Sequence, residues 1–497
     1  MATDTEKGAG TDSKTEAQEL TLLDQIIRDG KMARLETQQA YARDMIGEFI
    51  KAVPVPEQPG AKIDDIAAAI NGRIKEIDEL LSAQLNEILH DPAFQRVEAT
   101  WRGLNYLVKQ TETGTRLKLR VLNATRDELQ KDLDKAVEFD QSQLFKKIYE
   151  EEYGTYGGAP YSALLADFEI GRHPQDIDFV MKLSQVAAAA HAPLITAAAP
   201  ALFDMESFTE LGLPRDLAKI FESIELVKWR SFRESEDSRY VALCLPHVLL
   251  RLPYGKKTVP VEQFDYEEDV DGKNHTKYLW GNAAWALGAR ITAAFARYNW
   301  CGAIRGVEGG GLVEGLPAHI FDTGEGDKAL KCPTEVSITD RREKELSDLG
   351  FISLVHCKST DHAAFFGGAT ANKPIHYNLD SANANARLSA TLPYLLAASR
   401  FAHYIKVMMR DKVGSFLSRD DVKTFLNTWI NQYILAKDDA GQELKAKYPL
   451  RDARVDVVDV AGKPGAYRAT VFLRPHFQLE ELTASIRLVA ELPAPAA

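Results

Sequence analysis

Three places in this chain carry residue types that could do chemistry, and each lacks part of what its chemistry requires. GVEGGGLVEGLP at 306–317 offers the run of backbone N–H groups that can cradle a phosphate. No Lys-Ser/Thr follows the glycines and the spacing is not G-x-G-x-x-G, so both nucleotide fingerprints fail. A surface loop or a close backbone contact with a partner is the expectation there. Glu267, Asp269, Asp271 and Gly272 begin like a calcium loop, but Tyr278 stands where the bidentate glutamate belongs, so a solvated acidic turn is expected. His356, Cys357 and His362 are the closest soft ligands. Adjacent strand residues point to opposite faces, which disfavours a shared metal and predicts Cys357 as a small core residue.

The wider search for a reacting centre is equally empty. The chain has no G-x-S-x-G, no H-E-x-x-H and no S-x-x-K with suitable partners. No catalytic residue, cofactor or metal is therefore expected. Lys146-Lys147, Lys256-Lys257 and Arg341-Arg342 lack interleaved aromatics, and a formal charge of -12 gives no general attraction for nucleic acid. Cys244, Cys301, Cys332 and Cys357 show no C-x-x-C spacing and fit a reducing cytosol. The longest stretch free of Asp, Glu, Lys and Arg, 183–203, contains His191, Pro193 and Pro200, so no membrane insertion is expected. A cytoplasmic protein follows, with 45% hydrophobic and 27% charged residues giving ample material for a core.

The elements that would position functional groups are read from periodicity. Residues 1–60 form an arm: a polar tail expected to be disordered, then a short helix, then the stiff linker VPVPEQPG at 53–60. The short helix has Thr21 and Asp24 as a capping box, Gly30 as its stop, and a stripe of Leu22, Leu23, Ile26 and Ile27. Residues 61–112 read as a helical hairpin. Ile63, Ile66, Ile70, Ile74, Ile77, Leu81, Leu85 and Ile88 line one helix, and Phe94, Val97, Trp101, Leu104 and Val108 line the other. Those faces should meet each other or a partner.

Residues 113–375 interleave strands and helices, an α/β (α+β) core with a mixed sheet and long helices. Strands are expected at 116–122, 161–170, 193–198, 239–245, 332–338 and 351–357, and helices near 126–137, 174–191, 281–298 and 340–349. In 376–497, helices at 381–411 and 418–434 precede a small antiparallel sheet. Its alternating residues are Val455 and Val457, then Tyr467, Ala469, Val471 and Leu473, then Ile486, Leu488, Ala490 and Leu492. An arm and an open-edged sheet suit an assembly subunit better than an autonomous enzyme.

Four long segments carry a resemblance. LLDQIIRDGKMAR at 22–34, HDPAFQRVEATWRGLNYLV at 90–108, FDQSQLFKKIYEEEYGTYGGAPYSALLADFEI at 139–170 and LRPHFQLEELTASIRLVAEL at 473–492 closely resemble the large sheath subunit of bacterial type VI secretion systems, the TssC/VipB/EvpB family. The resemblance runs from about residue 20 to the C-terminus. It implies a contractile, phage-tail-like sheath: a partner small subunit (TssB/VipA-like), a helical lattice around a tube of Hcp, a baseplate, and disassembly by the AAA+ ATPase ClpV. It also implies that Leu22, Leu23, Ile26 and Ile27 are read by that ATPase. Val455, Val457, Tyr467, Ala469, Val471 and Leu473 would then belong to a sheet shared between protomers. The alternatives are a sheath of another contractile phage-tail-like particle and a cytosolic enzyme.

Overall fold

The computed structural model describes residues 27, 33, 35–52, 63–262, 264–415, 418–437, 439–460 and 467–476. They fall into two compact units, one of residues 1–87 with 261–267 and one of residues 88–260 with 268–497. In the first, α1 (Gln39–Ala52) is followed by α2 (Ile63–Leu89), a 27-residue helix that runs to the border of its unit. Ile74, Ile77, Leu80 and Leu81 of α2 are exposed. Tyr266 donates to Asn86 Oδ1 at 2.8 Å.

The second unit begins with α3 (Pro92–Gln110) and α4 (Arg126–Lys135), and an irregular helical run over 143–153 leads into β1 (Leu164–Ile170). Then come α5 (Pro174–Ala190), β2 (Leu194–Ala198), α6 (Leu217–Glu222), α7 (Val227–Glu234) and β3 (Val241–Leu245). A short ladder of β4 (Val248–Leu249) and β5 (Trp280–Gly281) precedes α8 (Ala284–Tyr298). After β6 (Leu312–Val313), β7 (Ile320–Asp322) and β8 (Lys328–Leu330) form a hairpin, followed by α9 (Asp340–Asp348), β9 (Phe351–His356) and β10 (Ala363–Phe365). The C-terminal part holds α10 (Asp380–Ser389), α11 (Leu392–Asp411), α12 (Arg419–Asn431), α13 (Gln442–Lys447) and the antiparallel pair β11 (Leu450–Asp459) and β12 (Tyr467–Pro475).

The central sheet runs β1-β2-β3-β9-β10-β6, parallel from β1 to β9 and antiparallel through β10 to β6. Its middle strands are buried on both faces, as parallel strands covered by crossover helices must be. Val241, Leu243, Leu245 and Phe351 join Ile177, Phe179, Val180, Trp229 and Phe232 in one core. The alternate residues Ala242, Cys244, Ile352 and Leu354 join Leu287 and Ile291 of α8 in another. A third core lies between α11, α12 and β11, around Trp300, Phe401, Leu426, Ile430 and Val455.

Local signals hold where they are self-contained. Thr125 with Glu128 and Ser418 with Asp421 both form reciprocal capping boxes. Gly350 takes φ +86 just beyond α9, a backbone angle that a side chain would strain.

Four readings are corrected. Residues 116–122 alternate in hydrophobicity but form no strand; Val121 and Leu122 are exposed and no neighbouring edge supplies the ladder bonds a strand requires. Residues 332–338 contribute only an isolated bridge, Thr334 to Val248. The expected helix over 381–411 is two helices, broken where Thr391 goes extended and pairs with Ala369, with Pro393 in the first turn of α11. Cys357 is exposed, not core, because β9 ends at His356 and the chain turns at once, Thr360 N bonding back to Cys357 O.

Candidate interaction surfaces

The sequence stretches with chemical promise are occupied by their own backbone. Gly306 N donates to Phe365 O at 2.7 Å and Gly311 N to Gly306 O at 2.8 Å, so these donors face inward. A Cβ on Gly311 would sit 2.6 Å from Phe365 O, so the glycine serves a close backbone approach. Asp271 accepts from Lys273 N and Asn274 N, and Asp269 pairs with Lys277, making the acidic stretch a capped turn. His356 Nε2 lies 2.7 Å from Thr360 O. Among the described residues no group of three or more His, Cys, Asp and Glu is placed to hold a metal ion.

Two surfaces built for contact remain. The first is α3. Asp91 caps it by accepting from Ala93 N and Phe94 N, with Pro92 opening the helix. One face goes inward: Gly103 lies against Trp285, where a Cβ would be 2.3 Å from the indole, Leu107 is buried, and Thr111 bonds Thr292 at 2.9 Å. A charged network fixes the helix rotation. Arg251 donates to Glu98 at 2.9 Å and by two bonds to Glu268 at 2.6 and 3.0 Å, while Arg102 holds Glu98 at 2.7 Å and Tyr254 at 2.8 Å. The consequence is that the apolar stripe faces out: Phe94 is 41% exposed, Val97 58%, Trp101 67% and Val108 47%. A row of this kind on a single chain marks a contact surface.

The second is the β11–β12 hairpin, whose register pairs Val455 with Val471, Val457 with Ala469, Ala453 with Leu473 and Asp459 with Tyr467. Val455 and Val457 are buried in the third core, with Tyr467, Val471 and Leu473 packed beside them. One residue that sequence reasoning missed decides the geometry of the edges. Asn427 of α12 donates to Val455 O at 2.8 Å and accepts from Val455 N at 3.0 Å, standing in for a neighbouring strand. Val455 therefore points its backbone groups away from β12, which makes Val455–Val471 a non-hydrogen-bonded pair and turns the N–H and C=O of Val471 outward too. By the same alternation Ala469 and Leu473 face out, and among the described residues no strand pairs with that outer edge of β12. Nothing in the sequence distinguishes Asn427 from any polar residue on an amphipathic helix.

Of the arm's stripe, Ile27 is helical and buried, at 3% exposure, and Leu22, Leu23 and Ile26 lie outside the described residues. The third expected strand, with Ile486, Leu488, Ala490 and Leu492, also lies outside them, as do the capping box at Thr21 and the linker at 53–60. No helix of the described residues is long and apolar enough to cross a membrane.

Comparison with known proteins gives these surfaces a context. A family model described as EvpB/VC_A0108, tail sheath N-terminal domain (VipB), matches residues 71–372, and a second, the tail sheath gpW/gp25-like domain of the same family, matches residues 381–492. The Type VI secretion system sheath protein TssC1 of Pseudomonas aeruginosa is 49% identical over 441 residues, covering 88% of this chain and 89% of that protein. Two solved structures align more loosely. The anti-feeding prophage baseplate gives a TM-score of 0.36 at 11% identity, covering 63% of this chain and 66% of that one. The contracted helical sheath of the same particle gives 0.30 at 14% identity, covering 62% and 66%. On the two family models, which together span most of the sequence, and on the identity to TssC1 over nearly all of it, this chain belongs to the VipB/EvpB family of type VI secretion tail sheath proteins.

Proposed function

We propose that this chain is the large subunit of a contractile type VI secretion sheath. It pairs with a small sheath subunit, polymerises as a helical tubule around an Hcp tube on a baseplate, and contracts to drive tube and spike into a target cell. Its role is mechanical, in the cytoplasm, without catalytic residues or cofactor. The AAA+ ATPase ClpV would recycle contracted sheath by reading Leu22, Leu23, Ile26 and Ile27.

The observation that carries this reading is the outer edge of β12. A two-stranded hairpin with one face buried and one row of outward N–H and C=O groups is a template for a strand from another protomer. Because Asn427 already occupies β11 at Val455, the incoming strand adds beside Ala469, Val471 and Leu473. Main-chain ladder bonds tolerate rotation between protomers better than one rigid side-chain interface, which suits a lattice that changes length.

Val471→Pro tests it. The substitution removes an outward donor while the ladder bonds inside the hairpin belong to the neighbouring pairs, Arg454–Phe472 and Asp456–Thr470. Co-expressed with the small subunit, the variant should still co-purify as a heterodimer but form no tubules by negative-stain electron microscopy. Long tubules from the variant would refute the strand-sharing role.

A further inference from the structure

The seam between the second half of α11 and α5 with the 143–153 run is polar on both sides. The two halves of α11 belong to different cores: Leu392 and Leu396 pack with the central sheet, and Phe401 and Ile405 pack with α12 and β11. The face of α11 turned toward α5 and the 143–153 run carries Ser399, His403, Lys406 and Arg410, which recur at helical spacing. Arg410 donates to Tyr153 O at 3.2 Å and Thr155 O at 2.8 Å. Lys406 lies over the rings of Tyr149 and Tyr153, at 5.4 and 5.0 Å. The apolar packing of this half lies in the third core, where Trp300, just after α8, stacks on Phe401 at 4.4 Å; its contact with α5 and the 143–153 run is made by hydrogen bonds, rings and charge.

At its centre is His403, 1% exposed. Its Nε2 lies 3.0 Å from Ala190 O, the last residue of α5, a carbonyl that also accepts from Tyr153 Oη at 2.9 Å. A carbonyl only accepts, so Nε2 carries the proton, and the buried Nδ1 has no hydrogen-bond partner. His191, the left-handed cap of α5, has its ring centroid 6.3 Å from that of His403 and its Nδ1 3.1 Å from Tyr240 Oη. The charges that act on the two rings are positive, Arg400 and Lys406 on α11, while Arg239 on the 237–240 turn acts on Tyr240. Asp237, on that same turn, acts on Tyr240, and Asp411 pairs with Arg410.

We infer that this seam is an acid-labile joint, closed while His403 and His191 are neutral and opened by their protonation, so that the second half of α11 loosens from α5 and the 143–153 run. A second proton on His403 would be buried with no acceptor and beside two cations. Burial, with Arg400, His191 and Lys406, lowers the His403 pKa to about 3 against the opposing Ala190 carbonyl, and burial with Lys406 lowers that of His191 to about 4. In the open joint both return toward the ordinary value of about 6.5. The open form therefore binds more protons, and closure weakens as the pH falls below about 6.5, by about tenfold per pH unit for each histidine, until the closed form itself titrates.

Thiol labelling of the full chain reads this directly. Ser399→Cys puts a thiol in the seam, 4,4′-dithiodipyridine reacts in acid, and the native Cys357 and Cys244 serve as exposed and fully buried references. Relative to Cys357, labelling at the introduced thiol should accelerate at least tenfold per pH unit from pH 6 to 4.5 while Cys244 stays protected. Adding His403→Gln, which keeps a neutral donor for Ala190 O, should lower that slope by about one decade per unit. Equal labelling at all pH values, simultaneous labelling of Cys244, or an unchanged slope with His403→Gln would overturn the inference. If the glutamine variant exposes Cys244 already at pH 7.5, Lys406→Met decides instead: removing the cation should shrink the acid response, and an unchanged response refutes the joint.

Discussion

Glu335 shows how a single residue can hold an edge of the sheet in place. Its buried carboxylate accepts from Ser207 Oγ at 2.7 Å, Phe208 N at 3.1 Å, His275 Nε2 at 3.0 Å and His247 Nδ1, while His247 Nε2 meets Glu169 at 2.8 Å. Burial alone would lower the His247 pKa, but the bonds and charges of Glu169 and Glu335 raise it to about 10. Burial alone would raise that of Glu335, but His247, His275 and Ser207 hold it well below the carboxylate range. A histidine with a raised pKa contributes its full stability below about 6.5 and loses it as the pH rises through 10; the depressed glutamate contributes above about 4.5 and loses it in acid. Stability from this pair is thus greatest between those values. Glu335→Gln should cost about 3 kcal/mol at pH 6, the scale for breaking a buried pair. The cost should shrink by pH 9.5, as urea midpoints at the two pH values would reveal. In the sequence, Glu335 is only a polar position in what reads as a strand.

For the elements, the decisive result is which face of α3 turns inward. Periodicity marks Phe94, Val97, Trp101, Leu104 and Val108 as an apolar face that should meet the hairpin's other helix or a partner, and Gly103, Leu107 and the Glu98 network take the inner side. A glycine and a glutamate gave no hint of that, since the close approach of Trp285 and the partners Arg251 and Glu268 come from distant parts of the chain. We propose the outward stripe as the docking site of the small subunit. Val97→Asp with Trp101→Asp should shift the melting temperature of the chain little, because exposed positions usually change stability by no more than about 0.5 kcal/mol. The same pair should reduce co-purification with the small subunit at least tenfold; retention at the wild-type level would move the small subunit elsewhere. The short-range signals, by contrast, were legible: both capping boxes and the hairpin alternation of β11 and β12 need only neighbouring residues.

For the whole molecule, a charge of -12 on every copy means that lateral packing in a sheath must pair charges locally. The arm adds a second requirement. Ile27 is buried, so an ATPase that reads it has to draw that residue out of its packing, and the affinity we propose per copy is modest while a polymer multiplies it. Leu23→Asp with Ile27→Asp should leave tubules intact by electron microscopy and abolish their capture by the ATPase in a pull-down. Undiminished capture would assign the stripe to packing within its own subunit.

By itself the sequence determined the class of the protein. Its long family segments, the alternation of strand and helix, the capped helices and the failure of every catalytic fingerprint are properties of contiguous residues, and local chemistry is enough to read them. Tertiary structure alone decided which surfaces are available: the outward turn of α3, the plugging of β11 by Asn427, the six-group cluster at Glu335 and the polar seam at His403. The partners that decide these features lie far apart in the chain, from 28 positions for Asn427 and Val455 to 257 for Arg410 and Tyr153. No period or motif encodes such a meeting, because a buried polar group is satisfied by whichever partner the packing of the cores brings within bonding distance.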